Sequence, residues 1–349
     1  MDEIDFFLLD ASDHEDSACV QDPLQQLYIQ HQDKLKAAQD ATDREDQAVT
    51  GTMGLEKVEL LASGRSRVLR CRKTKVGDSP TEVAVKITSI HQDYDVNEKF
   101  DKEVYLLKKL GDLCVAKFVQ AMSFPALGLT ALVTEFYSDG NLVDALSSGR
   151  LSGQFQLSSV AFTLIDTVND IHRRNIVHRD VCPENILISS SGIPVLSGFG
   201  SAVWLRPDEF LVRGVSGSRP YLAPEIVEKP FEYHDSYRAD IFSLGMVICR
   251  VLFPQIFRPS APELLKTLAT TIFPYEDILA VFKDLVTHLI SVDLDERYDS
   301  RDMQDYMFIH CTRILRIRQR LDAANGIPPI FDSVHVESFS CGKPKAKAA

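Results

Sequence analysis

The side chains best suited to chemistry lie close together, between Asn175 and Gly200. An apolar run ends at Val177, and His178, Arg179 and Asp180 follow, then Pro183, Glu184 and Asn185. An imidazole, a guanidinium, a carboxylate and an amide in one short polar stretch can move protons, pair with anions or ligate cations. A charged residue at the position of Asp180, in a loop between apolar runs, has no packing use. Ile186–Ile188 then leads through Ser189-Ser190-Ser191-Gly192 into Ile193–Leu196, which ends in Gly198-Phe199-Gly200. The pattern predicts a charged loop, a strand, a hairpin, a second strand and a Gly-bounded turn. One further cation, Lys86, stands in the apolar run Glu82-Val83-Ala84-Val85-Lys86-Ile87. A lone strand lysine is commonly a solvated edge residue, so its meaning depends on what surrounds it.

The elements that must position these residues can be read outward from them. Strand-like runs at Val58–Leu61 and Ser66–Cys71 flank a turn at Ala62–Arg65. Residues 96–110 place Phe100, Val104, Leu107 and Leu110 at helical spacing, with acids and lysines between them. Ala121–Phe124 and Leu129–Thr134 read as two strands, and Leu142–Leu146 and Ser158–Arg174 as helices. The second helix delivers the chain to Asn175.

Taken in order, these motifs resemble those of eukaryotic-type protein kinases. His178-Arg179-Asp180 with Asn185 is similar to H-R-D-x-x-x-x-N, and Gly198-Phe199-Gly200 to D-F-G. Gly217 to Glu225 resembles G-T-x-x-Y-x-A-P-E, and Asp240 to Gly245 resembles D-x-W-S-x-G. The resemblance covers roughly residues 55–320. It implies an α+β, bilobal fold: a small β-rich N-lobe with one long helix, about 55–136, and a larger, mainly helical C-lobe, about 138–320. It implies ATP as the cofactor, with Asp180 as catalytic base, Lys86 on the phosphates, Glu103 as its partner and Asn185 at one metal position. Glu98 is the fallback for Glu103. Val68, Ala84, Leu187 and the hinge residues Thr134, Glu135 and Tyr137 would border the nucleotide. Arg297 would pair with Glu225, Asp240 would brace the catalytic loop, and Arg179 would take a phosphate at Ser216 or another hydroxyl. Pro183-Glu184 and Gly217-Ser218 favour the Ser/Thr type.

Three features depart from the family. Gly198 replaces the metal-binding aspartate, and Ser197 beside it is a poor substitute, because hard cations prefer anionic oxygen. Cys182 replaces a lysine that contacts the transferring phosphate. Leu61, Ser63 and Ser66 fall at the three glycine positions of the phosphate loop, where glycine lets the backbone close over the ligand. Arg65 and Arg67 could contact phosphate there or be surface arginines. Cys182 could be a reactive thiol beside Arg179 or a small residue filling a vacated site. One expectation is therefore a pseudokinase, a regulatory or scaffold module that binds ATP, with Mg²⁺ in question. The other is an active Ser/Thr kinase with a rearranged metal site.

Composition limits the alternatives. Seven dispersed cysteines, none spaced C-x-x-C, argue against a disulfide framework or zinc site. Ile241–Phe253 is interrupted by Arg250 and too short to span a bilayer, and no secretory signal is visible. An intracellular protein, cytoplasmic or nuclear, is expected. Residues 1–50 hold 13 Asp/Glu and 3 Lys/Arg, so most of the net charge of −12 lies there. The remainder is nearly balanced, which excludes an evident nucleic-acid partner. Residues 1–50 read as an acidic, disordered extension, with a docking peptide in Met1–Asp16 and a weak amphipathic helix over 22–39 as alternatives. Residues 323–349 read as a flexible tail. A protein partner or protein substrate is expected, with no membrane and with the oligomeric state left open.

Overall fold

The computed structural model describes residues 23–64, 66–73, 82–90, 94–274 and 277–310, with backbone alone for 23–30 and 94–96. The chain opens with α1 (Pro23–Thr52) and enters β1 (Leu55–Ala62), β2 (Ser66–Lys73) and β3 (Glu82–Ser89). Helix α2 (Tyr94–Lys109), β4 (Phe118–Phe124) and β5 (Leu129–Glu135) complete the N-lobe. The five strands form one antiparallel sheet in the order β1-β2-β3-β5-β4.

Period-2 alternation divides the residues of this sheet between its two faces. Val83, Val85 and Ile87 of β3 are buried in one cluster with Leu69, Cys71, Leu129, Ala131 and Val133. Ala84 and Lys86 therefore face the other way, toward α2, together with Val68 and Thr134. The pairing fits: Val68 lies opposite Lys86 and Ala84 opposite Thr134. Helix α2 buries Leu106 and Leu107, and Leu110 follows it into the larger core.

The C-lobe carries α3 (Leu142–Ser147), α4 (Gln154–Arg173), β6 (Ile176–Val177), β7 (Ile186–Ile188), β8 (Pro194–Leu196) and β9 (Val203–Trp204). It continues through β10 (Leu211–Arg213), α5 (Pro224–Glu228), β11 (Tyr233–Asp235), α6 (Ser236–Leu252), α7 (Ala261–Thr270) and α8 (Ile278–Leu289). Residues 300–310 are helical. Asn141 and Asp144 cap α3 reciprocally, and Asp235 caps α6 through the amides of Tyr237 and Arg238. Gly245 lets α6 approach α8: a Cβ there would lie 2.7 Å from Leu289 Cβ and Ile290 Cγ2. A five-stranded sheet with its own small core and a mainly helical remainder make the architecture bilobal, as the motifs imply, and the larger core extends from the helices into α2 and Leu132 of β5.

The N-terminal region differs from expectation. Within 1–50, Pro23–Thr52 is a helix rather than a disordered extension, and it runs past the weak helix expected over 22–39. Its last turns dock on the sheet. Val49 is fully buried in the N-lobe core, and Asp46 is 1% exposed. Asp46 accepts hydrogen bonds from Lys57 Nζ of β1 (2.9 Å) and Arg67 Nε of β2 (3.0 Å). Glu45 adds a second contact to Arg67 at 3.1 Å. Burying a carboxylate requires such partners. Residues 1–22, including the docking-peptide stretch, and residues 311–349, including the tail and the expected C-lobe limit, lie outside the described residues.

Asp46→Ala should loosen α1. The expected loss is about 1–3 kcal/mol in urea unfolding, below the full value of a broken buried pair because both cations stay partly solvated. Trypsin should also cut at Arg44 faster than in the unsubstituted protein. Equal cleavage rates would show that Asp46 does not hold the helix.

Candidate active site

The polar loop between β6 and β7 is built on one buried carboxylate. Asp240 of α6 is 1% exposed and accepts the backbone amides of His178 (2.6 Å) and Arg179 (2.7 Å). The same carboxylate lies 3.0 Å from His172 Nε2. Arg179 has φ +65°, a left-handed conformation that a non-glycine residue seldom holds without such support.

His178 then links this loop to the turn after β8. Its Nε2 donates to Ser197 O (2.9 Å), while its Nδ1 accepts from the amide of Asp180 (3.3 Å). One donating and one accepting nitrogen describe a neutral ring, and burial lowers its pKa in the same sense. The ring also meets the buried Phe199 edge-on, with centroids 4.7 Å apart.

Asp180 is held at both oxygens. Ser218 Oγ donates to Oδ1 (2.9 Å) and Asn185 Nδ2 donates to Oδ2 (2.9 Å). Asn185 Nδ2 also reaches Asp180 O at 2.9 Å. The Ser218 contact was not foreseen, although Ser218 lies inside a recognised motif.

Across the lobes, Lys86 Nζ meets both oxygens of Glu103, at 3.1 and 2.8 Å, so Glu103 and not Glu98 is the partner. Glu103 is nearly buried while Lys86 is 37% exposed. The buried Glu103 carboxylate relies on Lys86 for its compensation, while solvent at Lys86 tempers what the pair contributes. Leu187 lies half-buried in β7 against the C-lobe core. At the hinge, Glu135 N donates to Lys117 O (3.0 Å) and Tyr137 Oη accepts from Lys117 N (3.2 Å).

A divalent cation, which this architecture implies, can be tested against the residues present. Gly198 sits at φ +78°, and a Cβ on it would lie 2.6 Å from Asn185 Oδ1 and 2.7 Å from Asn185 Cγ. The Asn185 amide thus occupies the space into which a side chain at 198 would emerge. Ser197 Oγ donates to Asn185 O at 2.8 Å and supplies no anionic oxygen. Among the described residues no group of three or more His, Cys, Asp or Glu could hold a metal ion. This donor set does not fit Mg²⁺.

The phosphate-facing hairpin is equally altered. Leu61 lies within β1 and Ser66 within β2, where Ser66 Oγ meets Thr88 Oγ1 at 2.8 Å. Ser63 is exposed, and nothing lies within 4 Å of a Cβ built on Gly64. Arg67 is not a free surface arginine, since Asp46 and Glu45 engage it. Arg65 lies outside the described residues. Arg179 donates to Gly214 O at 2.9 Å, a backbone carbonyl, where the family pattern suggested a phosphate. Cys182 is 1% exposed, and burial, then the charge of Asp180, pushes its thiol up to about 12. Such burial supports the space-filling alternative over the reactive thiol.

The remaining frame matches the motifs. Arg297, fully buried, forms a two-pronged pair with Glu225 at 2.7 and 3.0 Å. No described helix is long and apolar enough to cross a membrane.

Comparison with known proteins agrees with this geometry. Residues 56–309 match the protein kinase domain family. The chain is 28% identical over 269 residues to phosphorylase b kinase gamma catalytic chain, liver/testis isoform, of Rattus norvegicus, covering 72% of this chain and 65% of that one. It is 31% identical over 189 residues to serine/threonine-protein kinase SIK1 of Mus musculus, covering 54% and 23%. It is 29% identical over 176 residues to serine/threonine-protein kinase STY46 of Arabidopsis thaliana, covering 49% and 29%. The matches span less than two thirds of each of these relatives. The chain belongs to the protein kinase domain family, and two of these three relatives are named as serine/threonine-protein kinases.

Two outcomes follow from the geometry. Arg297→Ala should cost about 3–5 kcal/mol of stability, because Glu225 loses its buried partner; a loss under 1 kcal/mol by chemical unfolding would contradict this. At pH 8 a thiol titrating near 12 is ionised in roughly one molecule in 10⁴, so Cys182 should resist iodoacetamide in the native protein. Alkylation as fast as in the unfolded chain would overturn the assignment.

Proposed function

We propose that this Ser/Thr-type kinase domain is a pseudokinase, a regulatory or scaffold module that binds ATP without Mg²⁺ and transfers no phosphate. The observation that carries the reading is the Asn185 amide lying against Gly198. A carboxylate is missing, and the room for one is filled by a side chain already hydrogen-bonded to Asp180. Phosphoryl transfer depends on cations that neutralise charge as it develops on the phosphates. Here the metal ligand at 198 and the cation at 182 are both gone. Losing one preorganised electrostatic group typically costs about 10²–10³ in rate.

Nucleotide binding is a separate matter. Lys86 is partly exposed on the cleft face of the sheet and can meet phosphate while retaining Glu103. Val68, Ala84, Thr134, Glu135, Tyr137 and Leu187 are the residues we assign to the base and sugar. With Asp180 tied to Ser218 and Asn185, the loop keeps its shape without a ligand, which suits a module recognised by a protein partner. The alternative, an active Ser/Thr kinase using a rearranged metal site, draws support from the formed Lys86–Glu103 pair. It needs a carboxylate from elsewhere in the chain. Met1–Asp16, which could dock a partner, lies outside the described residues.

Thermal shift with ATP tests the reading. At 100 times its Kd, ATP in EDTA should stabilise the protein by about 2.7 kcal/mol, and adding Mg²⁺ should add nothing. A shift that requires Mg²⁺ would contradict it. Gly198→Asp must displace Asn185 from two hydrogen bonds, so it should cost roughly 3 kcal/mol and restore no phosphate transfer. Transfer that appears on Gly198→Asp would show that Asn185 turns aside readily and that the site is merely one residue short.

A further inference from the structure

Trp204 is the single tryptophan of the chain. It stands in β9, paired with Ile176 of β6, shortly after the turn that begins at Gly198. Its ring is half exposed. Yet the ring is engaged on the side of α2. Tyr105 stacks against it with centroids 5.8 Å apart and planes at 24°. Lys109 Nζ lies 3.3 Å from the centroid of the Trp204 ring and 5.8 Å from that of Tyr105. Tyr105 and Lys109 are four residues apart and share one face of α2. Glu103, which meets Lys86, stands on the same helix.

The end of α2 has a second tie to the same region. Arg174, which follows α4 and precedes β6, meets both carboxylate oxygens of Asp112 at 2.8 and 2.5 Å. It also reaches Lys109 O at 3.4 Å. A helix that must present Glu103 is thus fastened at its far end to β6 and β9. The Lys86–Glu103 pair, with one member partly solvated, is one contact among several on this helix, beside the burial of Leu106 and Leu107. In kinase-type folds a metal and its nucleotide can add to these contacts, but the site here does not suit a metal.

We infer that Trp204, Tyr105 and Lys109 form an aromatic–cation clamp that sets α2 where Glu103 reaches Lys86. The clamp couples the helix to the segment after Gly198 with neither metal nor nucleotide. Trp204 is a positioning residue: it touches no reacting group and acts through α2. The inference does not depend on whether ATP binds.

Hydrogen exchange on the full chain tests it without ligand. Trp204→Ala should speed amide exchange across Tyr94–Lys109 at least about fivefold, the lower end of a typical coupling. Exchange in Ser236–Leu252 of α6 should stay as it was. Trp204→Phe keeps an aromatic face and should retain most of the protection. Unchanged exchange in α2, or a rise of equal size in α2 and α6, would overturn the clamp, the latter by showing general destabilisation. Should Trp204→Ala fail to fold, fluorescence of Trp204 itself decides. Tyr105→Ala should raise acrylamide quenching of Trp204, and unchanged quenching would overturn the proposal.

Discussion

The polar loop holds its shape because one carboxylate is buried beneath it. Asp240 accepts the amides of His178 and Arg179 and stabilises the left-handed backbone at Arg179. Without those two bonds, buried N–H groups would be left unsatisfied, at about 1–3 kcal/mol each. Everything at the site follows in sequence from that support. His178 turns toward Ser197 O, its ring packs on Phe199, and Asp180 emerges between Ser218 and Asn185. The frame of a phosphotransferase is therefore complete at the level of backbone and buried polar bonds.

The phosphate-facing surface is where that frame stops. Asn185 leans on Gly198, a thiol held neutral by burial stands at 182, and Leu61, Ser63 and Ser66 stand where the phosphate hairpin would carry glycines. These changes affect the same charge-neutralising task, while the packing beneath is untouched. Arg297–Glu225 and Asp240 stabilise the lobe whether or not a phosphate ever enters the cleft. The fold and the chemistry have separate physical supports, which is why one can persist without the other.

Most of the fold was legible because its signals are local and ordered. Strand-like runs marked β1, β2 and β3, helical spacing marked α2, and the family resemblance pointed to Glu103 as the glutamate that Lys86 meets. The loop around Asp180 was legible as a motif. What was not legible depends on partners far away in the sequence. Asp46 reads as one more acid in an acidic stretch, and only the fold reveals Lys57 and Arg67 around it. Charge alone therefore suggested disorder where there is a docked helix. The contact of Asn185 with Gly198 joins two recognised positions, but no spacing rule foretells that one fills the other's space. Trp204, Tyr105 and Lys109 are ordinary surface letters until β9 and α2 meet. Burial, likewise, is what separates an inert Cys182 from a reactive one.

The central claim is that the Asn185–Gly198 arrangement leaves no site for a divalent cation, and Mn²⁺ electron paramagnetic resonance addresses it directly. Titrating Mn²⁺ into the full chain saturated with ATP, the account predicts free and ATP-bound Mn²⁺ in the proportions seen without protein. A stoichiometric protein-bound Mn²⁺ signal, lost on Asn185→Ala, would contradict it.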